Sequence, residues 1–196
     1  MKNLKRMFST YSYKGKSDYL DTQKKYEIMR TCLYFFVSLS LFAAGWIATG
    51  ERLNLLSVVA ALGCLPACKS TVDMIMFLRF KSIHNEAIEQ IEQNIGELEG
   101  MYDCVFTSYD KNFQVDHLVL KDHTLCGYSS HEKTDANLGQ EHLTKTLMHS
   151  GYKGLTIKIF KDLDKYTERL KQLNELENDD VEFRAAVFET LKSISL

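Results

Sequence analysis

Proline occurs once in this 196-residue chain, at Pro66, tryptophan once, at Trp46, and glycine ten times. So little Pro and Gly excludes collagen-like and Pro-rich linker sequences, and 11% aromatic content excludes a disordered chain. The five cysteines (Cys32, Cys64, Cys68, Cys104 and Cys126) form no C-x-x-C pair. That spacing argues against a disulfide scaffold and fits a reducing compartment. There is no glycine-rich phosphate loop, no G-x-S-x-G elbow and no H-E-x-x-H helix. Charge is missing in one long region: residues 31–50 carry none, and residues 53–78 carry only Lys69 and Asp73.

The formal net charge of −2 hides a strong segregation. Residues 1–30 hold eight Lys/Arg against three acids, a balance of +5, whereas residues 81–196 hold 13 Lys/Arg against 21 Asp/Glu, a balance of −8. An acidic domain lacks the basic stripe that a large nucleic-acid footprint needs. The basic segment directly precedes an apolar run, where Lys/Arg bias sets topology and anionic lipid attracts positive charge.

Three regions follow: a basic N-terminal segment over 1–30, a transmembrane hairpin over 31–78, and a cytoplasmic α/β domain over 79–196. The run Thr31–Gly50 can cross a hydrocarbon core about 30 Å thick, with Tyr34 and Trp46 toward its ends. A basic lead of this length, followed by a second apolar segment, argues against a cleaved signal peptide. The link Glu51-Arg52-Leu53-Asn54 leads into a second span, Leu55 to Leu78. Pro66 is expected to kink or break that span. Lys69 and Asp73, spaced i, i+4, can meet on one helix face near the headgroups. Cys64 and Cys68 share the same spacing and read as apolar-face thiols. The Lys/Arg distribution predicts a multi-pass cell-membrane protein with both termini in the cytoplasm.

In the domain, Ile88, Ile91, Ile95 and Leu98 predict a helix over Ser82–Gly100, with Gly100 as its stop. Three strands follow: Tyr102–Tyr109, then Phe113–Leu120 after the turn Asp110-Lys111-Asn112, then His123–Ser129. In the second, Phe113, Val115 and His117 alternate against Gln114 and Asp116. A helix over Leu138–Ser150 closed by Gly151, and a strand Leu155–Phe160, complete an α-β-β-β-α-β order. Asp162 caps a helix with the stripe Leu163, Tyr166, Leu170, Leu173 and Leu176. Asp179 and Glu182 form a capping box for a last helix that turns Val187, Phe188 and Leu191 inward. With its own caps and strands, the piece from Ile83 to Leu196 is expected to fold alone.

That order, over residues 82–161, resembles the restriction-endonuclease-like (PD-(D/E)xK) fold, including the nuclease-related domains found beside membrane segments in bacteria. The whole chain also resembles uncharacterised two-span bacterial proteins with the same plan. The resemblance implies an acid on the second strand, matched by Asp116, and a Glu from the first helix, for which Glu92, Glu97 and Glu99 are candidates. It also implies an acid-x-Lys pair on the third strand, so that two carboxylates hold Mg²⁺. Here that strand reads Leu125-Cys126-Gly127-Tyr128-Ser129, with Glu132 and Lys133 adjacent just beyond it. Adjacent strand residues face opposite sides, so the catalytic set departs from the pattern.

His117, His123, His131, Cys104 and Cys126 fall near one another in the strand region, but lack the close-spaced pairs of a zinc site. The expectation is therefore a membrane-anchored interaction or regulatory domain that needs no cofactor. Its partners would be the lipid bilayer and a protein or a second copy of the chain, with no nucleic acid. The alternative is a tethered, Mg²⁺-dependent nuclease-like enzyme built around Asp116 with Glu97 or Glu99. Transport is disfavoured, because two spans without central polar residues offer no pathway. Asp116→Asn is expected to change stability little.

Overall fold

The structure is a computed structural model that describes residues 13–52, 54–108, 111–132, 134–176 and 180–196. It divides into two compact units, one holding the two apolar helices and the other holding the described residues 13–19 together with those from 82 onward.

The first unit contains α1 (Tyr19–Thr49) and α2 (Leu55–Leu78), both long and apolar enough to cross a membrane. Helix α1 begins well before the charge-free run. Lys24, Lys25 and Arg30, expected in a basic tail, are helical, and Lys and Arg favour helix nearly as much as Ala. Helix α2 has the expected bounds. Pro66 does not break it, although a helix-interior proline removes a backbone donor. Asn54 caps it by accepting from the Ser57 N–H at 2.8 Å and donates to Thr49 Oγ1 at 3.0 Å, which fastens the link. Small residues line the contact: Ala60, Ala67, Ser38 and Ser70 are buried, and a side chain at Gly63 would run into Ser38. Small residues at a contact let two helix backbones approach closely. A polar clamp closes the other end. Thr31 and Ser70 hydroxyls lie 2.8 Å apart, and Arg30 reaches Glu27 and, at 3.5 Å, Asp73. Asp73 is therefore met by Arg30 rather than by Lys69. The outward residues Phe36, Leu39, Ile47, Leu62 and Leu65 are exposed.

The second unit runs α3 (Asn85–Ile95), β1 (Gly100–Thr107), β2 (Asn112–Lys121), β3 (Thr124–Tyr128), α4 (Ala136–His149), β4 (Thr156–Phe160), α5 (Leu163–Asn174) and α6 (Val181–Ile194). The expected α-β-β-β-α-β order with C-terminal helices is present. The sheet order is β1-β2-β3-β4, antiparallel except for the parallel β3–β4 pair that α4 connects.

Helices cover both faces. Leu143 and Leu147 of α4 and Val187, Phe188 and Leu191 of α6 pack with Phe106, Phe113, Val115, Leu118, Leu120 and Leu125. On the other face, Ile91 of α3 and Tyr166, Leu170 and Leu173 of α5 pack with Val119, Cys126 and Tyr128. Strand β2 is buried over eight consecutive residues, as a central strand covered on both sides must be.

Four expectations are corrected. Helix α3 stops at Gly96, whose φ of +59° suits glycine, and Gly100 instead opens β1. Asp180, not Asp179, caps α6, accepting from the Phe183 N–H at 3.0 Å; Asp179 lies outside the described residues, as do Tyr109 and Asp110 of the first strand and turn. Leu176 falls beyond α5 and is exposed. Finally, His117 does not share the face of Phe113 and Val115. Asp103 adopts a φ of +53°, and here the alternation of β1 and β2 changes phase together. On one side of that point Cys104 and Val115 face the first core. On the other, Tyr102 and His117 pair across the strands and face the second. Asp103 Oδ1 accepts from the Ile83 N–H at 3.1 Å.

Both ends of the described chain close the β1 edge. The Tyr102 N–H donates to the Gly15 carbonyl at 2.8 Å, and Ser195 bridges Phe106, with the Leu196 N–H donating to Val105 at 2.9 Å. The Lys14 ammonium donates to the Lys192 and Ser195 carbonyls, and the Tyr19 hydroxyl donates to that of Leu196 at 3.1 Å. An open edge invites aggregation, and these bridges blunt it.

Candidate functional site

Strands β3 and β4 are parallel, so their C-terminal ends and the N-termini of α4 and α5 converge on one rim, where open α/β sheets usually bind ligands. Ser129, Ser130 and His131 follow β3, and Lys161 follows β4; the Ser129 N–H donates to the Phe160 carbonyl at 2.9 Å. Asp135 caps α4, accepting from the Asn137 N–H at 3.0 Å, and Asp162 caps α5, accepting from the Asp164 N–H at 3.1 Å.

Asp116, fully buried on β2, reaches this rim. Its Oδ2 accepts from the Ser130 N–H at 2.6 Å and its Oδ1 meets His131 Nε2 at 2.8 Å. A carboxylate only accepts, so Nε2 carries the hydrogen and Nδ1 is the nitrogen left for other contacts. The His131 side chain is 25% exposed. Lys161 donates to the His131 carbonyl; burial lowers its pKa, against the opposing pull of Asp116. Below the carboxylate, Ser129 Oγ donates to the Gln114 carbonyl at 2.7 Å. The result is an Asp116–His131–Lys161 cluster whose acid is inside and whose imidazole is at the surface.

The chain matches no known family. Neither curated proteins nor solved structures match it either. The site has to be read from its own residues.

Of the residues expected to act with Asp116, Glu92, Glu97 and Glu99 are all exposed. Glu99 meets the Arg184 guanidinium at 3.3 Å, and the recorded partners of Asp116 are Ser130 and His131. Lys133 lies outside the described residues. The Mg²⁺ that the nuclease resemblance implies needs several oxygen ligands. Here both oxygens of the Asp116 carboxylate are engaged by N–H donors, from Ser130 and from the His131 imidazole, and the other buried acid of this domain, Asp103, is engaged by the Ile83 N–H. These residues do not fit that ion.

The histidines and cysteines disperse. Cys104 faces the first core and Cys126 the second, and His123 packs edge-on against Phe183, ring centroids 4.6 Å apart. Burial pushes the Cys104 thiol up to about 12, far from thiolate reactivity. Among the described residues no group of three His, Cys, Asp or Glu side chains is placed to hold a metal ion.

A second cluster escaped the sequence reading. His117 Nδ1 lies 2.7 Å from the Tyr166 hydroxyl, and the Tyr102 ring lies against the imidazole with centroids 4.3 Å apart. His117 Nε2 is the buried side-chain atom left without a hydrogen-bond partner among the described residues. It points at Gly100, where a Cβ would come within 2.2 Å of it. Burial depresses His117 to about 3 and lifts Tyr166 well above its ordinary value, so both are neutral. The only sequence signal was a histidine inside a strand with aromatic neighbours.

Proposed function

We propose that this chain is a membrane-anchored, non-catalytic binding domain, held by its apolar hairpin with both hairpin ends in the cytoplasm. The observation that carries this reading is the engagement of Asp116. A buried carboxylate that accepts one backbone N–H and one imidazole N–H orders the loop after β3 and is spent as a metal ligand. The basic balance of residues 1–30 supports the cytoplasmic side, and the exposed apolar residues of α1 and α2 support insertion in lipid. A protein partner or a second copy of the chain is compatible with this plan, and the acidic balance of the domain disfavours nucleic acid.

A membrane-tethered nuclease-like enzyme is the second reading, favoured by the order of elements and by the mixed four-stranded sheet. Incubation of the purified chain with DNA and RNA, with and without Mg²⁺ or Mn²⁺, separates the two. The binding reading expects no cleavage, and it expects Asp116→Asn to lower stability by about 1–3 kcal/mol, because an amide cannot accept at both positions. That revises the small effect expected from sequence. Divalent-dependent cleavage that Asp116→Asn abolishes would establish the nuclease.

A further inference from the structure

On the face of the sheet opposite α4 and α6, a cavity of about 460 Å³ lies between the β3–β4 pair and α5. Its cations are Lys158 from β4 and Lys165 and Arg169 from α5, against one lining acid, Glu168. This is a local excess of positive charge on a domain whose balance is −8. Lys165 and Arg169, at i and i+4, share the flank of α5 that borders the cavity, beside the buried stripe of Tyr166, Leu170 and Leu173.

The arginine is held in place. Its Nη1 donates to Gln172 Oε1 at 2.8 Å, and Cys126 of β3 lies on the floor beneath it. A guanidinium has five N–H donors in a fixed fork, so donors remain for a ligand. The Lys158 ammonium sits 5.0 Å from the Phe160 ring centroid, and Lys165, 73% exposed, has only a 3.6 Å contact with Asp162. The hydroxyl residues Thr124 and Thr156 complete the lining. A guanidinium braced by Gln172, two ammonium groups and two hydroxyls form a donor set suited to phosphate oxygens. The space exceeds what one inorganic ion fills and lies within the usual range for small-molecule sites.

The geometry points to this groove as the binding site for a phosphate-bearing ligand, either a small soluble phosphorylated molecule or a phospholipid headgroup. The inference rests on the reading of the domain as a non-catalytic binder and names the class of ligand. Arg169 fixes the phosphate by its fork, and Lys158 and Lys165 close over it.

The test is amine-acylation footprinting, read by mass spectrometry, on the full chain in nanodiscs. Inorganic pyrophosphate is titrated into discs of phosphatidylcholine alone, and a parallel set contains phosphatidylcholine and phosphatidic acid in equal parts. A soluble ligand predicts that pyrophosphate shields Lys158 and Lys165 but not Lys145, an exposed lysine on α4. Arg169→Gln should raise the half-shielding concentration about ten-fold. Lys158→Gln, on an exposed side chain that leaves the fold intact, should do so as well, read at Lys165. A headgroup ligand predicts shielding in the phosphatidic acid discs without pyrophosphate. Acylation of both lysines unchanged in every arm overturns the groove and leaves the non-catalytic reading standing. Release of orthophosphate from pyrophosphate would contradict the non-catalytic reading and leave the groove in place.

Discussion

The carbonyl of Gly15 accepts a hydrogen bond from the backbone N–H of Tyr102 at 2.8 Å. Gly15 precedes the first apolar helix and Tyr102 follows the second, so one small domain is built from both sides of the hairpin. A chain that leaves this domain, crosses a bilayer twice and returns to it must re-enter on the side it left. The antiparallel bridge thus carries a topological consequence independent of the charge balance of the first 30 residues.

The same relationship revises the expectation that Ile83–Leu196 folds alone. Without residues 13–19 the β1 edge opens at Tyr102, and the carbonyls of Lys192 and Ser195 lose the Lys14 ammonium. A fragment from Ser82 onward should unfold at lower urea than one in which residues 11–19 are joined to it by a flexible linker in place of the hairpin. Equal midpoints would mean that the segment adds nothing.

Gly100→Ala should be severely destabilising, because its Cβ would stand 2.2 Å from His117 Nε2 in a packed interior. The neighbour is a ring held by Tyr102 and Tyr166, which cannot swing aside. His117→Ala makes room, so the double variant should be more stable than the sum of the single losses, with a coupling on the order of 1–3 kcal/mol. Strict additivity in chemical denaturation would refute the contact.

His117 also sets a pH dependence. Its folded value, about 3, is below that of an unfolded histidine, so the unfolded chain binds the proton first as pH falls. Its contribution is complete above about pH 6.5 and is lost progressively toward pH 3. The groups facing the imidazole are the Tyr102 ring and the Tyr166 hydroxyl, both neutral across that range. Urea midpoints from pH 7 to pH 4 should fall more steeply for the native chain than for His117→Gln, whose amide can still meet Tyr166. Parallel slopes would show that His117 is not buried neutral.

Much of the fold was legible where chemistry is local. The apolar run after the link Glu51–Asn54 marked α2, Asp162 marked the start of α5, and alternation marked β4. The start of α1 was hidden because Lys24, Lys25 and Arg30 read as a tail although they favour helix. The phase change at Asp103 had no pattern behind it, since one positive φ in a strand leaves no periodic trace. Asp116 was singled out as an acid on the second strand but not as a buried one, and its partners come from a loop after a neighbouring strand. Nothing in residues 113–120 announces them. The groove cations come from β4 and α5, and the packing of α5 over the β3–β4 pair forms the groove between them.

The central claim, a hairpin whose two ends meet in one domain on the cytoplasmic side, is tested most directly by cysteine accessibility. In a cysteine-free background, single cysteines replace Lys16, Glu51 and Ser193, all exposed, and an impermeant thiol reagent is applied to intact cells. The account predicts labelling at Glu51→Cys alone, with Lys16→Cys and Ser193→Cys labelled only after the membrane is opened. Labelling of Lys16→Cys without Ser193→Cys in intact cells, or the reverse, would contradict it.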